Sequence, residues 1–232
     1  MIKGYVIYIP SSTRSVEVSK ECLRVAKDVG KIDVELWEGV DKHNSWNSML
    51  EMGLKILPVG GSFVTMGYID SEIGAFLSHL SLWKHCVEIN ERIMILEHDA
   101  MFQREYEDIE YDGILNLGVP NWGTKKWKGN GVKERVDCKE YHHAHDVYNK
   151  KHCQCDSKWL FGAHTYTITP RCAKILIDDA ETNGIFATDI FIRTELVNIA
   201  DQLPHNTIQE SDFTLIQKTH RTELISANEA WN

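Results

Sequence analysis

The first 37 residues constrain the architecture most. Gly4 to Ile9 is a run of mostly β-branched and aromatic residues, and Arg14 to Val29 places Val18, Cys22, Val25, Ala26 and Val29 at helical spacing. Gly30 supplies a helix stop, after which Ile32 to Trp37 alternates as a second strand. Strand, helix, strand is the unit that builds parallel sheets, because parallel neighbours need a crossover and a helix provides it. The chain is therefore expected to be α/β, with a mostly parallel, Rossmann-like central sheet flanked by helices. Its 232 residues, 43% of them apolar, suffice for one sizeable core and not for two, so 1–232 reads as a single domain.

The rest of the chain continues this pattern. Asp70 or Ser71 caps a helix whose face is Ile73, Phe76, Leu77, Leu80, Trp83 and Val87, and Arg92 to Leu96 follows as a buried strand. Gly113 to Leu117 is a further short strand. Residues 118–158, rich in Lys, Trp, His and Cys, show no sustained period and read as a long functional loop region. Order resumes with a strand from Trp159 to Ile168. Thr169-Pro170 then serves as cap and first position of a helix reaching about Ala180, a second helix follows Thr188, and Phe213 to Gln217 forms a last strand.

Several classes are disfavoured. The apolar runs fall far short of the roughly 20 residues that span a bilayer, and the Met1 segment lacks the apolar core and cleavage site of a secretory leader, so a cytoplasmic location is expected. A net charge of -9 argues against broad binding of nucleic acid or anionic lipid. Cys22, Cys86 and Cys172 fall in helical patterns and read as small core residues.

The strand Ile93 to Leu96 delivers Glu97, His98 and Asp99 at its C-terminal end, where open α/β sheets bind ligands. In an extended segment Glu97 and Asp99 point to the same side, so two hard oxygen donors meet one Mn or Mg ion and the diphosphate it carries. His98 is a candidate imidazole ligand. The competing reading is a solvated strand end.

Ser71-Glu72-Ile73-Gly74-Ala75-Phe76-Leu77-Ser78-His79-Leu80-Ser81-Leu82-Trp83, followed by Ile95-Leu96-Glu97-His98-Asp99-Ala100, resembles glycosyltransferase family 25. That family includes bacterial lipooligosaccharide galactosyltransferases and collagen hydroxylysine galactosyltransferases. Its pattern is Glu-x-Gly-Cys-x-x-Ser-His-x-x-x-Trp and then Leu-Glu-Asp-Asp; Ala75 here replaces the Cys and His98 the first Asp. Further matches are the opening strand ending near Arg14, the stretch Glu38-Gly39-Val40-Asp41, the segment Gly162 to Ala173 with its Gly-x-x-x-Tyr pattern, and Asp189. The resemblance implies a GT-A fold, a nucleotide-sugar donor, usually a uridine diphosphate sugar, a divalent metal and inversion at the anomeric carbon. A glycan or other biopolymer hydroxyl is the expected acceptor.

Under that resemblance the metal ligands are Asp99, Glu97, His98 and a late His220, for which an exposed tail is the competing reading. Arg14, Glu97 and His79 would contact the donor; a surface ion pair for Arg14, and a packed face with Trp83 for His79, compete. Asp189 would take the acceptor proton, because a hydroxyl with a pKa far above neutral needs a base as the bond forms. A helix cap is the other reading of Asp189.

Two features stand outside this scheme. Cys138, His142, His143, His145, His152, Cys153, Cys155 and His164 invite a structural Zn, with Cys138, His142, Cys153 and Cys155 as candidate ligands, although their spacing matches no standard site. Lys125, Lys126, Lys128, Lys133 and Arg135 stand against one acid, Glu134, and interleave with Trp122 and Trp127. Such a 121–135 loop suits a sugar, a phosphorylated glycan or a hydroxymethylated DNA base, and equally a solvated loop. A zinc-stabilised, non-catalytic binding module on a GT-A core is the reading from a different class.

Overall fold

The computed structural model describes residues 2–57, 69–119, 129–135, 158–160 and 163–209. The strands are β1 (Lys3–Tyr8), β2 (Asp33–Glu38), β3 (Ile93–Glu97), β4 (Ala100–Phe102), β5 (Ile114–Asn116), β6 (Gly131–Glu134), β7 (Thr165–Ile168), β8 (Ile199–Leu203) and β9 (Thr207–Gln209). The helices are α1 (Thr13–Asp28), α2 (Ser45–Glu51), α3 (Ile69–Ile89), α4 (Pro170–Asn183) and the single turn α5 (Thr188–Phe191).

Seven strands form one sheet in the order β2-β1-β3-β7-β5-β8-β6, and β4 pairs with β9 in a small second sheet. The opening unit folds as its spacing predicts: β1 is parallel to both β2 and β3. Beyond β3 the sheet is mixed, since β7 runs antiparallel to β3 and β5, and β6 antiparallel to β8. The expected mostly parallel sheet thus describes the strands β2, β1, β3, β5 and β8, with β7 inserted against them and β6 at an edge.

Alternation in the central strands sets the layers. Tyr5, Ile7, Ile93 and Ile95 face α3 and α4 in one core, whereas Val6, Met94 and Leu96 face the α1 residues Val18, Cys22 and Ala26 in the other. Both faces of β3 are covered, which is why its four residues from Ile93 to Leu96 are apolar and fully buried. Each such side chain contributes about 1.5–3 kcal/mol of burial. Ser12 caps α1 by accepting from the Ser15 amide at 3.2 Å, and Thr169 caps α4, with Pro170 in its first turn, as expected. Cys22, Cys86 and Cys172 are free and buried.

The differences from expectation have local causes. β6 lies inside the stretch read as loop; it is an exposed edge strand held by backbone pairing to β8, so it carries no apolar period. Arg135 is no part of a free basic patch: its guanidinium, 5% exposed, forks onto Asp201 of β8 through Nε at 2.7 Å and Nη2 at 2.6 Å. β3 ends at Glu97, residues 98 and 99 form a turn, and β4 begins at Ala100, so Glu97 and Asp99 are not neighbours on one extended face. No described helix is long and apolar enough to cross a membrane. The strand expected at 213–217 lies outside the described residues.

Candidate functional site

The C-terminal ends of β1, β2 and β3 lie along one edge of the sheet, the edge at which α/β sheets receive ligands. Three connections start there: Ile9 to Ser12 after β1, Gly39 to Asp41 after β2, and His98-Asp99 after β3. The first two are tied together, since the Ser11 hydroxyl donates to the Asp41 carboxylate, which also accepts from the His43 amide at 2.7 Å. These bonds hold Asp41 below its ordinary pKa. Arg14 stands exposed in the first turn of α1 at this edge.

Helix α3 docks across the same edge. Ser78 accepts from the Val40 amide at 2.8 Å and donates to the Gly74 carbonyl at 2.7 Å. A Cβ at Gly74 would stand 2.7 Å from the Val40 carbonyl oxygen, so only glycine lets the helix approach this loop so closely. The Gly74 and Ser78 positions of the family-like segment are therefore docking positions.

Farther along α3, Glu72, Phe76, His79 and Trp83 share one helical stripe by spacing. His79 Nε2 stands 3.6 Å from Glu97 Oε1, a contact slightly longer than a hydrogen bond. Burial alone would raise the Glu97 carboxyl, whose side chain is 32% exposed. His79, with further help from His164 and His98, outweighs burial and leaves it lowered.

Asp189, in the first turn of α5, is half-buried and feels the Glu97 charge; burial first and Glu97 second push its carboxyl up to about 6. Burial and then Asp189 push Glu72 up to about 7. Among the described residues no ion pair reaches Asp189 or Glu72. The cap of α5 is Ala187, so Asp189 is not an N-cap residue and it belongs to this carboxylate group.

Asp99 is placed differently. It is 1% exposed, accepts from the side-chain Nε2 of Gln209 in β9 at 3.1 Å, and lies near Cys22 of α1. The argument that Glu97 and Asp99 meet one cation from one side of an extended strand therefore does not hold, because the turn at 98–99 sends them to different partners. His98 is half-buried in that turn, and its Nε2 has no hydrogen-bond partner among the described residues. Among the described residues no three His, Cys, Asp or Glu side chains converge as a metal centre.

His164 is buried behind β3, where its carbonyl accepts from the Glu97 amide at 2.8 Å and burial pushes its imidazole down to about 4. Cys138, His142, His143, His145, His152, Cys153, Cys155, His220, Trp122, Trp127, Lys125, Lys126 and Lys128 lie outside the described residues.

Two residues escape a site list drawn from sequence alone. Glu72 had a usable signal, as a charged residue in register with Phe76, His79 and Trp83 on an otherwise apolar stripe. Tyr166 falls in the Gly-x-x-x-Tyr pattern but reads there as an ordinary strand residue. Its bonds to His79 at 2.8 Å and Trp83 at 2.9 Å arise only when β7 packs under α3.

Comparison with known proteins bears on the same segments. The family described as Glycosyltransferase family 25 (LPS biosynthesis protein) matches residues 1–192, which takes in α3, the 97–99 turn and Asp189. A "Glycosyltransferase 25 family member" from Anopheles gambiae is 32% identical over 120 residues, covering 47% of this chain and 19% of that relative. The matched stretch thus spans about a fifth of that longer protein. Since the family match runs through every element that builds the carboxylate group, the chain belongs to glycosyltransferase family 25.

Proposed function

We propose that this chain transfers a sugar from a nucleoside diphosphate donor, a uridine diphosphate sugar foremost, to a hydroxyl of a glycan or other biopolymer, with inversion and with Asp189 as the base. The observation that carries this reading is the Asp189 carboxyl: half-buried, pushed up to about 6 and given no cationic partner among the described residues. An acid of that strength is ionised at neutral pH yet basic enough to accept a proton in the transition state. The acceptor oxygen bonds to the anomeric carbon as the bond to the diphosphate oxygen breaks, and the acceptor proton passes to Asp189. Glu97 supplies the negative neighbour that keeps Asp189 basic. Arg14, at the sheet edge, is suited to the donor phosphates.

The donor set for Mn or Mg is incomplete among the described residues, where Asp99 is engaged by Gln209 and Glu97 by His79. Asp99 and His220 are the residues that would hold such an ion. Such an ion would neutralise the departing diphosphate. No step above depends on it.

A thermal-shift panel of nucleotide sugars, with and without Mn, tests this reading, because a true donor stabilises the folded chain by about 2.7 kcal/mol at a hundredfold excess over its Kd. The expected result is a shift with one uridine diphosphate sugar, retained in Asp189→Asn, whose release of nucleoside diphosphate is lost. A chain that responds to no nucleotide sugar overturns the proposal.

A further inference from the structure

A chain of polar groups runs through the core beneath the carboxylate group. Trp83 and Tyr166 are fully buried and His79 is 1% exposed, yet Trp83 Nε1, Tyr166 Oη and His79 Nδ1 are all hydrogen-bonded. Trp83 Nε1 donates to Tyr166 Oη at 2.9 Å, and Tyr166 Oη pairs with His79 Nδ1 at 2.8 Å. An indole N–H can only donate, so the phenol oxygen accepts from Trp83, and among the described residues Nδ1 is the acceptor left for the phenol's own proton. Burial holds the Tyr166 hydroxyl well above its ordinary pKa, which keeps that proton in place.

With Nδ1 accepting, the imidazole carries its proton on Nε2, the atom that faces Glu97 at 3.6 Å. The His79 and Tyr166 rings stack at 5.7 Å with 11° between planes, which limits rotation of the imidazole. Apolar residues of similar volume at 79, 83 and 166 would fill this space without the cost of desolvating three polar groups. Among the described residues the chain leads out to the partly exposed Glu97 carboxylate, whose charge Asp189 feels.

We infer that His79 is a positioning residue: the Trp83–Tyr166–His79 chain fixes its tautomer, so that a rigid N–H orients the Glu97 carboxylate beside Asp189. This rests on the reading of Asp189 as the base. Tyr166 and Trp83 act one and two bonds farther back, by denying the imidazole its other tautomer.

The first test is independent of turnover. In protein labelled with nitrogen-15 at histidine, the His79 signals, assigned by their loss in His79→Gln, should show a protonated Nε2 and a bare Nδ1. The Nε2 signal should move in Glu97→Gln, and Tyr166→Phe should give a mixture of tautomers. A protonated Nδ1 in the unaltered protein, or an Nε2 signal indifferent to Glu97→Gln, overturns the inference even if the chain turns over no donor.

The second test uses donor hydrolysis. Glutamine places an amide N–H near the Nε2 position, whereas asparagine reaches only the Nδ1 position. His79→Gln should therefore stay within about tenfold of the unaltered kcat, and His79→Asn should lose about 100-fold in kcat at unchanged donor KM. Equal losses in folded Gln and Asn variants would reduce His79 to a packing role. Absence of any turnover in the unaltered chain counts against the glycosyl-transfer reading and leaves the spectroscopic result to decide this one.

Discussion

Asp201 and Asp189 are both carboxylates drawn into the fold, and they are treated in opposite ways. Asp201, 1% exposed, receives two bonds from Arg135, one from Asn116 at 2.7 Å and a contact from His205 at 3.3 Å. Burial alone would raise its carboxyl, but these donors hold it far below the usual carboxylate range. Asp189, pushed up first by burial and then by the Glu97 charge, rises to about 6. Where β6 joins β8 the buried carboxylate has a counterion, whereas Asp189, the proposed base, has none among the described residues. The same contrast separates a residue whose charge is committed to stability from one whose charge is available for chemistry.

Arg135→Ala is the most drastic way to break this contrast, because it strands the Asp201 charge in the interior. A loss of about 3–5 kcal/mol in urea unfolding is expected, with a lower midpoint and a disordered β6 edge. The sign of the pH dependence follows from the lowered carboxyl. Its contribution is complete above the unfolded value of about 3.9 and is lost as pH falls toward the folded one, so unaltered protein should weaken in acid and Arg135→Ala should flatten that slope. Arg135→Ala with unchanged stability would remove Asp201 from the structural side of the comparison.

Asp189→Asn attacks the other side. Transfer should fall by about 10²- to 10⁴-fold while thermal stability holds or rises slightly. In the unaltered chain the rate should decline about tenfold per pH unit below about 6, as the base takes up a proton. A flat rate between pH 5 and 7 would separate Asp189 from proton transfer.

The smallest expected effect sharpens the comparison most. Glu72 rises to about 7, so between about pH 4 and 7 the folded chain binds more protons than the unfolded one, and stability falls as pH rises through that window. Glu72→Gln should therefore raise Tm at pH 8 by roughly 2–4 °C, after discounting for partial exposure, and leave it unchanged near pH 4. The gain should shrink in Asp189→Asn, since the Asp189 charge is part of its cause. A destabilised Glu72→Gln would mean that Glu72 has a cationic partner beyond the described residues.

Much of the fold was legible from local pattern. The spacing of Val18, Cys22 and Ala26, the Gly4 to Ile9 run and the Thr169-Pro170 pair name their own elements, because helical and strand periods and caps depend on residues close in sequence. The edge strand β6 and the short β4 and β9 did not show themselves. They are specified by backbone partners in distant parts of the chain: β6 is an exposed edge, and β4 and β9 are only three residues each, too short to show a period even though β4 is buried. Within the site, Glu97 at a strand end, Asp189 at a helix start and His79 inside the helix of the family-like segment could be picked out as chemistry-bearing residues.

The amino-acid order by itself determined the α/β class, the parallel opening, the segments that carry reactive side chains and the family to which they are similar. Tertiary packing alone decided how those side chains associate. It separated Asp99 from Glu97 by a two-residue turn, joined Glu97 to His79 and Asp189, and placed a tyrosine from β7 beneath a helix more than eighty residues away. The reason is physical: charge and hydrogen-bond partnership depend on distances in space, which residue spacing encodes only within an element.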